Sequence, residues 1–545
     1  MISADTIFLG GRIITVDPDF RIADAVAVAD RRIIAVGTES EVRTLCSPST
    51  RVIDLAGRTL LPGFVEAHGH PTAEMNMLGP DTVDIRASEC PTAADVFARL
   101  RDAVALAAPE DWVIAFGWDP LLVPDLPEMS GRLLTELSPE IPVSVMHYSA
   151  HSSWANDAAL ARLGLDRNSP DPVGSAFIRS ADGELTGEGR EVPASMILMG
   201  PTMQARPDSF GGFLHHELHR FAAAGITTTG DLAFEATHYD AVADYMAGHD
   251  SPVRIRAYER SGAGPHIAPA AAGDSMFRKV GVKVWKDGSP WIGNIHTSFG
   301  YEDSAATRAV GVHPGHRGCS NYTAEDLLEI CRTHVGDGWQ IACHVHGDLA
   351  IDTVLDTFEQ VMGETGRTDL RLRLEHCGAI TAAQVRRAHA LGVTISFFVA
   401  HIHFYGDVLR GLFGDRADEW TPAGVAAECG MPFSLHNDSP VTPANPLLNM
   451  RTAMTRQSRS GAVLGDHLRI DIRDAIRAQT IWPAWQLHSE HEIGSIETGK
   501  FADFVILDGD PLTTDPAELD AIGVVETWIA GRRVDAVHDV AGIGP

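Results

Sequence analysis

The sequence predicts an α/β protein: a (β/α)8, TIM-like barrel carrying a composite β-sandwich built from both ends of the chain. Three observations lead there. Eight short β-branched runs alternate with helical patterns through the middle of the chain, as a parallel sheet with crossover helices requires. Both ends carry a different texture of short strands broken by turn residues. With 545 residues, 44% hydrophobic and 21% charged, the chain is long enough to bury one large domain with attachments, because α/β barrels routinely exceed 200 residues.

Residues 1–60 open with Thr6-Ile-Phe-Leu, Arg12-Ile-Ile-Thr-Val, Arg32-Ile-Ile-Ala-Val-Gly and Arg51-Val-Ile-Asp-Leu, runs of strand formers separated by turns. Residues 490–545 repeat the pattern at Ile493-Gly-Ser-Ile, Ala502-Asp-Phe-Val-Ile-Leu-Asp and Val524-Val-Glu-Thr-Trp-Ile. Chain termini often lie close together, so the two sets are expected to pair into one sandwich. Between them, residues 61–489 supply the barrel, with strands expected at 64–70, 226–231, 253–258, 280–285, 340–346, 370–376, 393–398 and 432–438. A helix is expected over 349–362, with Asp348 as its N-cap. The helix before the second strand buries Leu214, Leu218, Phe221 and Ala222, which leaves His215, His216 and His219 in solvent. Residues 75–210 break the repeat and form an insertion with its own runs at 112–117 and 143–148; such insertions commonly build a substrate pocket.

Charge and cysteine content narrow the function classes. A formal net charge of −30 makes phosphate backbones and anionic membranes poor partners, since like charges repel across the surface. A small-molecule substrate is expected instead, with no nucleic acid or membrane partner and a homo-oligomer left open. The seven cysteines are odd in number, scattered and without C-x-x-C. They read as buried thiols of a reducing compartment. No leader-like segment and no stretch of about 18 apolar residues occurs, so a cytoplasmic protein is expected.

Barrel enzymes work at the C-terminal ends of their strands, and the chemistry-bearing residues gather there. The first strand ends in His68-Gly69-His70, two imidazoles at i and i+2. The fourth carries Lys283 and Lys286, the fifth His344 and His346, the sixth His376, the eighth His436 and Asp438. A single histidine at a strand end is usually a hydrogen-bonded core residue. Histidines and an aspartate on strands one, five, six and eight together point to a divalent metal site. Neutral imidazole plus carboxylate suits zinc, with other first-row ions possible.

These motifs resemble the amidohydrolase superfamily, specifically the third amidohydrolase family, which includes N-substituted formamide deformylases. The resemblance runs through residues 61–71, 225–231, 281–289, 344–352, Glu375-His376, 433–446 and 494–511. Phe433-Ser-Leu-His-Asn-Asp-Ser-Pro-Val-Thr-Pro is its most specific stretch. It implies a metal-dependent hydrolase of a non-peptide C–N bond. His68 and His70 would hold one ion, His344 and His376 another, and Asp438 would ligate the first and act as base. Lys283 matches the lysine that carries a bridging carbamate in two-metal members, the unmodified ammonium having no acceptor with which to bind a cation. Lys286 in place of Lys283, His346 in place of His344, and one ion in place of two stay open at this point. His436 reads as a partner of the ligands. Deaminating relatives tend to place a glutamate three residues beyond the strand-five histidine, where this chain has Gly347, which favours amide hydrolysis. Lactone or ester hydrolysis, deamination and a non-catalytic scaffold are the alternatives. For substrate contact the candidates are His151, Trp154 and Trp118, with Trp285, Trp291 and Phe299 as further aromatic wall.

Overall fold

A computed structural model describes residues 3–79, 82–87, 89–200, 210–262, 273–367 and 369–535. The outermost parts of the terminal segments, 1–2 and 536–545, and residues 201–209 of the insertion lie outside the described residues.

Eight parallel strands form the central sheet in sequence order: β1 (Phe64–Gly69), β2 (Ile226–Phe234), β3 (Arg254–Arg260), β4 (Phe277–Trp285), β5 (Gln340–Val345), β6 (Arg373–His376), β7 (Thr394–Phe397) and β8 (Phe433–Leu435). Each overlaps one of the eight expected runs. The strands are almost continuously buried, as in a sheet covered on both faces. β8 and β1 share no backbone ladder. Their gap is spanned by a connecting segment: Val65 N–H donates to the Gln479 carbonyl at 2.8 Å, Leu435 N–H to the Ala478 carbonyl at 3.3 Å, and Gln479 Nε2 to the Leu435 carbonyl at 2.8 Å. Asn437 Nδ2 closes the ring further in by donating to Glu66 Oε2 at 2.8 Å.

The helix after β5 runs Asp348–Thr365 and buries Ile351, Val354, Leu355, Phe358 and Val361, the i, i+3, i+4, i+7 stripe that seats it on the sheet. Gly366 ends it in the left-handed conformation at φ 64°. Asp348 does not cap this helix. It is the first helical residue, Gly347 holds the cap position, and the Asp348 carboxylate instead accepts from Ser298 N–H at 2.8 Å and Ser298 Oγ at 2.5 Å, pinning the 286–322 segment to the barrel. In the helix Phe210–Ala223, His215 and His216 face solvent as expected and His219 is half-buried.

The two ends of the chain share one six-stranded sheet. Arg12–Ile14, Ile22–Ala23 and Thr59–Pro62 lie beside Phe504–Leu507, Val524–Ile529 and Arg532–Arg533. Thr59–Pro62 and Phe504–Leu507 pair antiparallel with Leu61 opposite Val505. A four-stranded sheet (Thr6–Leu9, Ala25–Ala29, Arg32–Gly37, Arg51–Asp54) packs on it through Phe8, Val28, Leu60, Ile506 and Trp528. Ile493-Gly-Ser-Ile is not a strand. Gly494 takes φ 88°, which breaks the extended path, and Ile496 N–H bonds to the Thr15 carbonyl from a turn.

Within the insertion, Thr82–Asp84, Val113–Trp118, Val143–His147, Ser152–Ala155, Ala176–Arg179 and Leu185–Arg190 make a separate six-stranded sheet. Leu100, Val113, Leu134, Val143 and Val145 give it an apolar core of its own. Four cysteines are buried as expected, but Cys46 and Cys319 are exposed and Cys429 is half-buried. No helix among the described residues is long and apolar enough to cross a membrane.

Candidate metal centre

β1, β6 and β8 bring four side chains to one point at the barrel mouth. His70 Nε2 lies 2.9 Å from Asp438 Oδ1, His68 Nε2 lies 3.4 Å from the same oxygen, and His376 Nδ1 is 3.8 Å from Asp438 Oδ2. Donor atoms of His68, His70 and Asp438 fall within 4.8 Å of one another, and so do those of His68, His376 and His436. The strand ends bend sharply to achieve this. His376 and Asp438 sit at φ 71° and 53°, a left-handed region that non-glycine residues enter at a cost and that clusters at functional sites.

The donor set fits a divalent cation. Burial pushes the pKa of His68, His344, His376 and His436 well down, so their rings stay neutral. Burial works against the Asp438 carboxylate, but the His70 hydrogen bond and the nearby His70, His436 and Lys283 hold its pKa at about 2. Neutral imidazoles around an ionised carboxylate are the ligands that zinc-like ions take. Several buried donor atoms here have no hydrogen-bond partner among the described residues: Nδ1 of His70, Nδ1 of His376, and both ring nitrogens of His436. Buried polar atoms are normally satisfied, and a cation bound among these orphans would satisfy them.

The lysine and histidine alternatives separate clearly in space. Lys283 Nζ is 3.0 Å from His68 Nε2, inside the cluster, and burial pushes its pKa down to about 8. Lys286 points the other way and donates to the Tyr322 carbonyl at 2.6 Å. The His344 ring lies 4.4 Å from that of His376, with Nε2 donating to the Gly288 carbonyl at 3.0 Å. His346 stacks behind His376 at 5.1 Å, and its Nδ1 accepts from Gly378 N–H at 3.3 Å. At Gly347 a Cβ would lie 2.0 Å from the His296 carbonyl oxygen, so the backbone leaves no room there for a side chain such as glutamate.

Supporting carboxylates escaped the sequence reading. Glu375 Oε2 lies 2.5 Å from His68 Nδ1, and its other oxygen is 2.8 Å from Arg373 Nε. A carboxylate behind a ligand histidine fixes the ring's tautomer and turns its other nitrogen to the metal. The alternation of Arg373, Glu375 and His376 in a four-residue buried strand was the available signal. Asp287, whose pKa burial pushes up to about 7, accepts from His346, Gly347 and His296 N–H and anchors the end of β5.

Above the cluster is a cavity of about 520 Å³ whose wall includes His70, His151, Lys283, His344, His376 and Asp438. Trp285 lines it too. Trp118 and Trp154 do not. Both are buried in the core of the inserted sheet, where they border a second cavity with His147, because alternate residues of those strands face away from the barrel mouth. Trp291 packs at a tilt on Tyr405 with ring centroids 4.4 Å apart and Phe299 packs edge-on against Phe413, and neither lines the cavity.

Comparison with known proteins places this architecture. The N-substituted formamide deformylase of Arthrobacter pascens is 27% identical over 97% of each chain. The protein LONG AFTER FAR-RED 3 of Arabidopsis thaliana is 27% identical over 98% of this chain and 92% of its own. Among solved structures, an uncharacterized metal-dependent hydrolase from Pyrococcus horikoshii shares the fold with a TM-score of 0.72, at 21% identity over 94% of this chain and 99% of its own. The model of the amidohydrolase family matches residues 51–535. The chain therefore belongs to the amidohydrolase family, and it is a hydrolase acting on carbon–nitrogen bonds other than peptide bonds.

Proposed function

We propose that the protein hydrolyses the amide or formamide bond of a small non-peptide molecule, with zinc as its resident ion. One observation carries the reading: imidazoles and a carboxylate from separate barrel strands converge within coordination reach at the wall of a cavity of about 520 Å³. His68, His70 and Asp438 would hold one ion, and His344 and His376 would hold a second, with Lys283 as a further ligand once carboxylated. A lysine with its pKa near 8 offers a free amine that adds carbon dioxide and releases a proton, giving a carbamate with two oxygen donors where an ammonium has none. A divalent ion held there polarises the substrate carbonyl and lowers the pKa of water to about 7.

Asp438 takes the proton of the attacking water and passes it to the departing nitrogen, the general-base and general-acid roles of one carboxylate. Its Oδ1 is engaged by His70 and His68, which leaves Oδ2 as the shuttling atom. Met77, Val192, Met196, Trp285 and Val441 give the cavity an apolar wall for the substituent on nitrogen. The relative named N-substituted formamide deformylase supports that class of substrate. A surface of net charge −30 favours a neutral small molecule over polyanions, and the protein is expected to act in the cytoplasm.

The test is metal analysis with a substrate panel of N-formyl amines, N-acyl amino acids, lactones and aminated heterocycles. Stoichiometric zinc, loss of N-formyl amine hydrolysis on chelation, and its return with added zinc are expected. Full turnover by metal-free protein, or turnover confined to lactones or heterocycles, refutes the reading.

A further inference from the structure

The insertion delivers two polar side chains to the cavity that the mechanism above does not use, Ser149, which is paired with His147 Nδ1 at 2.8 Å, and His151. His151 is 7% exposed, stands immediately before the strand Ser152–Ala155, and lines the cavity with its ring 4.9 Å from that of His344. Its Nδ1 lies 2.8 Å from Glu191 Oε2. Glu191 is 5% exposed and clamps His151 twice, because its own backbone N–H donates to the His151 carbonyl at 2.7 Å.

Glu191 is itself fixed from several sides. It sits at φ 65°, between the strand Leu185–Arg190 and the helix Val192–Leu198, in a conformation that favours glycine. Its second oxygen accepts from Asn294 Nδ2 at 2.5 Å, and Asn294 Oδ1 accepts from the Cys319 thiol at 2.8 Å. Gly288 makes room for it: a Cβ there would lie 2.1 Å from Glu191 Oε1. The Gly288 carbonyl meanwhile receives the His344 Nε2–H, so the same turn seats both Glu191 and His344.

A carboxylate only accepts, so His151 Nδ1 carries the hydrogen, and in the neutral ring Nε2 then presents a lone pair. That nitrogen has no hydrogen bond to the described residues, and its ring borders the cavity. A buried acceptor facing a binding cavity selects a ligand that brings a donor.

We propose that His151, locked in one tautomer by the positioning residue Glu191, is the acceptor for the substrate's amide N–H. The site then takes amides of primary amines, R–CO–NH–R′, and rejects their N,N-disubstituted counterparts. This rests on the amide reading above.

The experiment compares kcat/KM for an N–H formamide, N-benzylformamide, and its N-methyl analogue on zinc-loaded wild-type protein, E191Q and H151A, with zinc content measured for each. Wild type is expected to prefer the N–H substrate by on the order of tenfold or more, since the methylated substrate leaves a buried acceptor without a partner. In E191Q, Asn294 holds the new carbonyl oxygen and the new NH2 faces His151 Nδ1, which turns Nε2 into a donor. The preference is expected to vanish or invert there, and to vanish in H151A. The ratio is internal to each variant, so a partial loss of folded protein does not alter it. Wild type hydrolysing both substrates without preference, or both variants keeping the wild-type ratio, overturns the assignment alone. If wild type with its zinc in place hydrolyses neither, the same ratio is read on the N-acyl amino acid of the panel above and its N-methyl analogue; hydrolysis of no amide in the panel overturns the amide reading and this assignment with it.

Discussion

Asp438→Asn removes one charge and leaves the volume of the side chain almost unchanged. In the native protein the carboxylate is met by His70 at 2.9 Å, by His68 at 3.4 Å and by His376 at 3.8 Å. It is the single ionised acid in that set, held so by its neighbours at a pKa of about 2. An amide cannot carry the proton from water to nitrogen. Loss of a positioned proton-transfer group costs on the order of a hundred- to ten-thousand-fold in rate. At 1.36 kcal/mol per factor of ten this raises the barrier by about 3–5 kcal/mol. The assay is kcat on an N-formyl amine, with zinc content and the thermal unfolding midpoint measured on the same preparation. A thousand-fold fall in kcat is expected in a folded protein whose unfolding midpoint lies somewhat below the wild-type value, because the neighbours that hold the Asp438 pKa at about 2 stabilise its charge in the fold and that stabilisation is lost with the charge. Wild-type kcat in the variant refutes the assignment of Asp438 as the proton carrier.

Two further outcomes follow from the same geometry. Lys283→Met is expected to lower the bound metal per chain, whereas Lys286→Met is expected to leave it unchanged, because only Lys283 Nζ reaches His68 while Lys286 Nζ bonds to the Tyr322 carbonyl; equal metal content in the two variants, read by elemental analysis, contradicts this. Asp119 gives a pH-dependent stability. Burial pushes its pKa up to about 6, against the hydrogen bonds from Tyr405, Leu122 and Leu121. The folded protein therefore binds this proton more tightly than the unfolded chain does. Its contribution is complete below about pH 4 and is lost as pH rises to 6, up to about 3 kcal/mol. Asp119→Asn is expected to gain in unfolding midpoint over wild type at pH 7.5 relative to pH 4.5, and an identical difference at the two pH values rules the linkage out.

Local pattern made the barrel legible, because each strand's β-branched run is its own signal and eight of them in alternation with helices leave few arrangements. The ends of β1, β6 and β8 could be read as metal-binding for the same reason: His68, His70, His376 and Asp438 are types that seldom gather at strand ends without a task. What the sequence could not reveal is pairing across distance. Glu375 stands behind His68 although 307 positions separate them, and Glu191 stands behind His151 across 40. Neither pairing is marked by spacing or periodicity. Trp118 and Trp154 were misplaced for the opposite reason: aromatic residues in an insertion look alike whether they face a pocket or a core, and strand parity within the inserted sheet decided it.

The amino-acid order by itself determined that this protein is an α/β barrel hydrolase with imidazole and carboxylate donors at its strand ends, because periodicity and residue type are properties of short segments. Only the tertiary structure decided which lysine enters the cluster, which carboxylate orients each ring, and which surface of the insertion looks onto the cavity. Those choices depend on directions and distances of a few ångströms between segments hundreds of residues apart, and they exist only once the core has packed.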